Sequence, residues 1–254
     1  MHFAVITDLD GTLLEHDTYS FEPARGALET LRQRRIPVIL CTSKTRAESV
    51  WWRLRLGVTG PFIVENGGAI YWDDSISTHL GVPYPILLEA LGCAAAQAAC
   101  PVRGFAQMTD HEVAERCSLP LEQAVLARKR EFDEPFVVAD PSRVPALVLA
   151  IESAGLRCTR GGRFWHILGP NDKAAAVRRL LAKLGQGTPV TSIGLGDGLN
   201  DTGFLNVVDH PVLMPSASLS ELQRLVPKGR VAPEAGPAGW AGAVLPLIST
   251  STDD

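Results

Sequence analysis

Residues 3–14 read FAVITDLDGTLL: a short apolar run, then Thr7, then two aspartates, Asp8 and Asp10, on either side of Leu9. The run has the length and composition of a buried strand, and Gly11 lets the chain turn sharply after it. At the two-residue period of a strand, both carboxylates leave on the same side. Like charges that close cost free energy unless something positive compensates them. Standing alone, DLDGT would be a solvated turn, so the rest of the chain has to decide.

Working outward, EPARGALETLRQRR has helical periodicity, IPVILC is a second strand, and KTRAESVWWRLRLG is a second helix closed by Gly57. PFIVE is a third strand, and NGGAIYW a turn and a further strand. The alternation resumes late, with NDKAAAVRRLLAKLG a helix, PVTSIGLGD a strand, GLNDTGFLNVV a helix and HPVLM a strand. Alternating elements with nearly continuous apolar strands predict a doubly wound, Rossmann-like α/β core with a parallel sheet covered on both faces. Between residues 83 and 166 the composition changes. The helical stretches YPILLEALGCAAAQAA, SLPLEQAVLARKREF and SRVPALVLAIESAG, with the strand-like PFVVAD, LRCTR and RFWHIL, predict an inserted α+β module. The expected division is a core of residues 1–82 and 167–254 and an inserted module of 83–166. Gly/Pro-containing hinges fall near 80–84 and 166–170, and a short apolar helix and a polar, frayed tail end the chain.

Composition narrows the function. The chain has 254 residues, 46% hydrophobic and 20% charged, with a net charge of −4 and no basic run suited to nucleic acid or an anionic membrane. An anionic substrate must therefore be met by local devices. MHFAVITD lacks a basic n-region, and no apolar segment approaches 18 uninterrupted residues. Five cysteines (41, 93, 100, 117 and 158) with no CxxC pattern favour reduced thiols and a cytoplasmic setting.

Ligand sites of open parallel sheets lie outside the C-terminal ends of the strands. DLDGT, CTSKT, ENGG and GDGLND all fall there. In GDGLND, Asp197 and Asp201 are four apart and share a first-turn face if a helix begins near Gly198. Two acidic clusters at the strand ends of one sheet make the hard oxygen-donor site that Mg²⁺ prefers, and the metal supplies the missing positive charge. Thr42 and Ser43 open a helix with hydroxyls and free N–H groups, a ready anion site or a plain cap. Lys173 sits at the start of another helix, where its charge opposes the helix dipole and a bound anion would account for it.

DLDGT, Thr42, Lys173 and GDGLND, in that order, resemble the four motifs of the haloacid dehalogenase superfamily of phosphotransferases. The insertion between the second and third resembles the larger cap of its Cof-like branch. Gly198 stands where many members have Ser. The stretches DLDGTLLEHDTYSFEPA, VILCTSKTRAE, FIVENGGAIY, LARKREFDEPF, GGRFWH and GPAGW narrow the resemblance to phosphatases of mannosyl- or glucosyl-phosphoglycerate. The resemblance implies that Asp8 attacks phosphorus and Asp10 shuttles the proton. It places Mg²⁺ on Asp8, Asp10, Asp197 and Asp201. The phosphoryl group falls at Asp8, Leu9, Asp10, Thr42, Ser43, Lys173 and Asn200. Substrate choice falls to the inserted module, with Arg130, Glu131, Asp133, Arg163 and His166 as the candidates for the glycerate carboxylate and sugar hydroxyls. Closure of that module over the site is expected to accompany activity. The implied partner is a small phosphorylated glycosyl-glycerate, with monomer and homodimer both open. A sugar-phosphate phosphatase of another specificity and a phosphomannomutase-like phosphotransferase are the alternatives; KREFDEPF and GGRFWH argue against the mutase.

Overall fold

In the computed structural model, residues 2–73, 76–161 and 163–249 are described; the polar tail expected at the C-terminus lies outside them beyond Ser249. Strand β1 (His2–Thr7) carries the opening apolar run, with Ala4, Val5 and Ile6 wholly buried. It feeds α1 (Arg25–Gln33), β2 (Val38–Leu40), α2 (Arg46–Leu56), and the antiparallel β3 (Phe62–Val64), β4 (Ala69–Tyr71) and β5 (Ser77–His79). A capping box between Thr45 and Glu48 starts α2, and left-handed Gly57 ends it.

The inserted stretch contributes α3 (Tyr84–Gln97), β6 (Val102–Gly104), α4 (Asp110–Cys117), α5 (Leu121–Ala127), β7 (Asp133–Val138), α6 (Val144–Ser153), β8 (Arg157–Arg160) and β9 (Trp165–Leu168). Its strands form an antiparallel sheet in the order β6-β7-β9-β8. Leu87 and Leu91 of α3 and Leu147 and Ile151 of α6 pack with Phe136 and Ile167 of that sheet. A second cluster, Phe105, Val113, Ala124 and Phe164, sits under α4 and α5.

The chain then returns through α7 (Lys173–Leu184), β10 (Val190–Gly196), α8 (Thr202–Leu205), β11 (His210–Leu213), α9 (Leu219–Leu225), β12 (Arg230–Val231) and α10 (Gly236–Ser249). Among the described residues the core sheet has the order β12-β11-β10-β1-β2, parallel throughout. A parallel bridge from Cys41 to Ile63 extends it toward β3. Alternation along the strands explains the two layers. Val5, Val38, Leu40 and Ile193 face a cluster with Leu31, Trp52 and Trp240, whereas Ile6, Ile39 and Leu213 face Val177, Leu180, Phe204 and Leu222. The expected doubly wound α/β architecture is the one found.

The boundaries differ in several places: β5, β6, α9 and β12 are additional elements, and Thr45, not Thr42 or Ser43, caps the helix after β2. The helix expected over SLPLEQAVLARKREF is only α5, because Arg128–Phe132 turn away to dock on the core; ahead of it lies the unexpected α4, opened by a Thr109/Glu112 capping box. GLNDTGFLNVV forms a 3₁₀ turn and the single turn of α8 instead of one long helix. The two crossings between core and insertion run side by side: a Cβ on Gly169 would stand 2.9 Å from the Val82 nitrogen.

Candidate active site

Asp8 follows β1, its N–H donating to the Leu195 carbonyl at 2.9 Å, so the central strand pair fixes its backbone. The Thr7 hydroxyl donates to the Asp8 carbonyl at 2.7 Å and accepts from the buried Trp240 indole at 3.0 Å. The C-terminal helix thus buttresses the turn from behind. Gly11, at φ +75°, closes it; a Cβ there would lie 2.7 Å from the Asp197 carboxylate. Leu9 points its side chain into the core and brings only its backbone to the site.

Lys173 is the first residue of α7, which Asp172 caps by accepting from the Ala175 N–H at 2.7 Å. Its ammonium is 2.7 Å from both Asp8 Oδ1 and Asp201 Oδ1. The anion that offsets its awkward place at a helix start is therefore this carboxylate pair. Asp201 Oδ2 accepts from the Asp197 and Gly198 N–H groups at 3.1 and 3.0 Å, and the Thr12 hydroxyl donates to Asp197 Oδ1 at 3.2 Å.

Carboxylate oxygens of Asp8, Asp197 and Asp201 lie within 4.8 Å of one another. Burial pushes Asp8 well above the usual carboxylate range, partly opposed by Lys173 and reinforced by Asp201, Asp197 and Asp10. Asp197 is pushed up to about 7, by burial first and then by Asp201. Burial works against the Lys173 charge, but Asp201 and Asp8 outweigh it and hold the lysine above its ordinary value. Three buried carboxylates thus share one ammonium, and an all-oxygen set short of positive charge fits a divalent cation such as Mg²⁺. Asp8, Asp197 and Asp201 would hold it.

Asp10 is turned elsewhere. Its Oδ2 is 2.9 Å from Lys44 Nζ, while its Oδ1 is buried without a partner. Lys44 is buried, 3.8 Å from Glu48 and over the Tyr19 ring; burial disfavours its charge, but Asp10 and Glu48 raise it above the ordinary lysine value. Thr42 is buried at the end of β2, its hydroxyl accepting from the Lys44 N–H at 3.2 Å. Ser43 offers its carbonyl to Arg130 Nη1 at 3.0 Å. Asn200 reaches Asn66 Oδ1 at 3.3 Å and no catalytic carboxylate.

The candidates of the inserted module divide. Arg130 spends its guanidinium on the Ala127 and Ser43 carbonyls and lies over Phe105. Glu131 accepts from the Tyr71 hydroxyl at 2.8 Å. Asp133 is wholly buried, held 2.8 Å from His166 Nδ1 and 2.9 Å from Asn66 Nδ2. In spite of its burial, His166 and Arg130 keep its carboxyl below the usual range. Arg163 is exposed, its Nη1 3.5 Å from the Arg116 carbonyl, and its charge reaches Tyr19 and Cys117. Sequence reasoning passed over Lys44, Glu65, Asn66 and Trp240. Lys44 lies inside CTSKT, and Glu65 and Asn66 inside ENGG, so position at a strand end was the available signal.

Residues 5–83 match the model of the haloacid dehalogenase-like hydrolases. A glucosyl-3-phosphoglycerate/mannosyl-3-phosphoglycerate phosphatase of Methanococcoides burtonii is 38% identical, with all of both chains covered. One of the same name from Persephonella marina is 32% identical over 96% of this chain and 97% of its own. Among solved structures, a Thermoplasma acidophilum protein superposes with a TM-score of 0.74 at 19% identity, covering 98% of this chain and 99% of its own. A phosphatase of the haloalkanoate superfamily from Bacteroides thetaiotaomicron gives 0.72 at 19% identity, covering 98% and 95%. The chain belongs to the haloacid dehalogenase-like hydrolases and, within them, to the family of glucosyl-3-phosphoglycerate/mannosyl-3-phosphoglycerate phosphatases.

Proposed function

We propose that this chain is a Mg²⁺-dependent phosphomonoesterase that hydrolyses mannosyl-3-phosphoglycerate or glucosyl-3-phosphoglycerate to the glycosylglycerate and phosphate. The observation that carries the reading is the buried Asp8–Lys173–Asp201 arrangement with Asp197 beside it, in a chain similar over its whole length to phosphatases of that name.

A carboxylate oxygen of Asp8 attacks phosphorus; the O–P bond to Asp8 forms as the ester P–O bond to glycerate breaks. Asp10 gives its proton to the departing glycerate oxygen, then takes one from water. That water attacks the aspartyl-phosphate, breaking the Asp8 O–P bond and releasing phosphate. Lys173 fixes the Asp8 carboxylate and neutralises charge beside it. The divalent cation, when bound, supplies electrostatic stabilisation of the transferring phosphoryl group. Thr42, Ser43 and Lys173 line the phosphoryl position, with the main chain at Leu9 and Asp10. The inserted stretch acts as the specificity module, and it runs past the expected boundary at 166 to the end of β9 at Leu168 before the chain returns to the core. Arg163, exposed and near enough to Tyr19 to act on its hydroxyl, suits the glycerate carboxylate. Asp133, enclosed, serves the substrate through His166. Five free thiols support a reducing, cytoplasmic setting, and among the described residues no helix is long and apolar enough to cross a membrane.

The test is phosphate release from both glycosyl-3-phosphoglycerates, 3-phosphoglycerate and a panel of hexose phosphates, with Mg²⁺ and with chelator. Turnover is expected on one or both glycosyl substrates, with Mg²⁺ required. Absence of phosphate from both would sink the substrate assignment, and isomerised hexose phosphate without free phosphate would favour a mutase.

A further inference from the structure

ENGG, residues 65–68, stands at a strand end beside the site and has no part in the chemistry above. Glu65, Asn66 and Gly67 have φ values of +46°, +55° and +90°, three successive residues in the left-handed region. A turn that costly for the two non-glycine residues persists only where its surroundings over-determine it. Here they do. The Glu65 and Asn66 N–H groups donate to the Lys44 and Thr42 carbonyls at 3.0 and 3.1 Å. A Cβ on Gly67 would lie 2.2 Å from the Asp172 carbonyl oxygen, directly before Lys173. The buried Glu65 carboxylate accepts from the N–H groups of Glu131 and Phe132 at 3.0 and 2.7 Å.

The turn presents one side chain between the two halves of the molecule. Asn66 Nδ2 donates to Asp133 Oδ2 at 2.9 Å, and Asn66 Oδ1 accepts from Asn200 Nδ2 at 3.3 Å. Asp133 in turn holds His166 Nδ1, which leaves Nε2 for a ligand. A hydrogen-bonded chain therefore runs His166–Asp133–Asn66–Asn200, from the inserted sheet to the loop that carries Asp197 and Asp201. An amide suits the middle position because one end donates and the other accepts. Asparagine also tolerates the left-handed backbone that the turn imposes.

We propose that Asn66 is a positioning residue that couples occupancy of the inserted module at His166 to the placement of the Asn200 loop, and so sets the preference for the glycosyl-glycerate ester over a bare phosphate ester. This rests on the proposed function. Two substrates separate the contributions: the best phospho-sugar of the panel, which engages the inserted module, and p-nitrophenyl phosphate, which offers it no sugar or glycerate.

Asn66→Gly keeps the backbone region and removes the side chain; Asn66→Asp puts a carboxylate against Asp133. In both, the ratio of kcat/KM for the phospho-sugar to that for p-nitrophenyl phosphate is expected to fall about tenfold or more, a size typical of coupled polar networks. Combining Asn66→Asp with Asp133→Asn should recover part of the ratio by re-forming the central bond. In a cycle of Asn66→Gly and His166→Ala, the double variant should lose little more of the ratio than the worse single one. Parallel loss on both substrates, an unchanged ratio, or additive losses in the cycle would overturn the proposal. The wild-type enzyme alone decides whether the substrate assignment stands, so the two failures are told apart.

Discussion

Replacing Lys173 by methionine removes the one ammonium that bridges Asp8 and Asp201 and keeps much of the side-chain volume. Lys173 and Asp201 are each 1% exposed at the side chain and Asp8 is 10% exposed, so water cannot take over the role. Removing one partner from a buried ion pair costs about 3–5 kcal/mol, because a charge is left uncompensated. For a chain of this size each kcal/mol moves Tm by about 2–4 °C, which gives a drop of roughly 6–20 °C at pH 8 without Mg²⁺. The sign of the pH dependence follows from Asp8. Its carboxyl is already raised by burial, and the Lys173 charge pulls it back down, so the substitution raises it further. A carboxyl raised in the folded state stabilises fully below its unfolded value and loses that contribution as pH rises through the folded one. The deficit of the variant should therefore be small near pH 5 and grow toward pH 8. Mg²⁺ should recover part of the stability by restoring positive charge to the cluster, but not the turnover. Thermal melts at pH 5, 6, 7 and 8, with chelator and with Mg²⁺, make the measurement. A Tm within about 2 °C of wild type at every pH, less than the shift from 1 kcal/mol, would refute the reasoning.

Substitutions at Gly67 and Glu65 test the ENGG turn, with Gly57 at the end of α2 as the comparison. Gly67→Ala must move the start of α7 as well as adopt φ +90°, so overpacking and left-handed strain together should cost about 2–5 kcal/mol. Gly57→Ala, at φ +66° with open space around it, should cost about 1–2 kcal/mol from backbone strain alone; equal urea midpoints for the two would remove the packing argument. Glu65 is pushed up to about 8, by burial first, against the pull of Arg130 and the two N–H groups it accepts. Its stabilising contribution is complete below the unfolded value near 4.5 and fades as pH climbs through about 8. Wild type should accordingly lose more urea resistance than Glu65→Gln between pH 6 and pH 9, and parallel losses would show that Glu65 does not titrate in that window.

The doubly wound sheet was legible because its strands are short apolar runs in which alternate residues meet different layers, as Val5 and Ile6 do. Strand ends were legible for the same reason, and they brought DLDGT, CTSKT, ENGG and GDGLND to one edge. What stayed hidden was pairing at long range. Nothing local in FIVENGG says that Glu65 will capture the N–H groups of residues 131 and 132, more than sixty positions away. Trp240 is separated from Thr7 by almost the whole chain, and its indole bond to that hydroxyl is equally invisible locally. α4 is the opposite case. Thr109 and Glu112 spell its start three residues apart, but a weak apolar stripe hid it behind the longer pattern that follows.

Asp8 and Asp10 do not share one compensating charge. Strand alternation predicts two carboxylates leaving together and sharing one compensating charge. Strand β1 instead ends at Thr7, and the turn through Gly11 sends the pair to different cations. Asp8 meets Lys173 and the other two carboxylates, whereas Asp10 meets Lys44, Glu48 and Tyr19. Each has a lysine of its own, one from the loop after β2 and one from the start of α7. A nucleophile and a proton shuttle two residues from each other need different surroundings, because the first attacks phosphorus through a carboxylate oxygen while the second has to reach the leaving oxygen and then water.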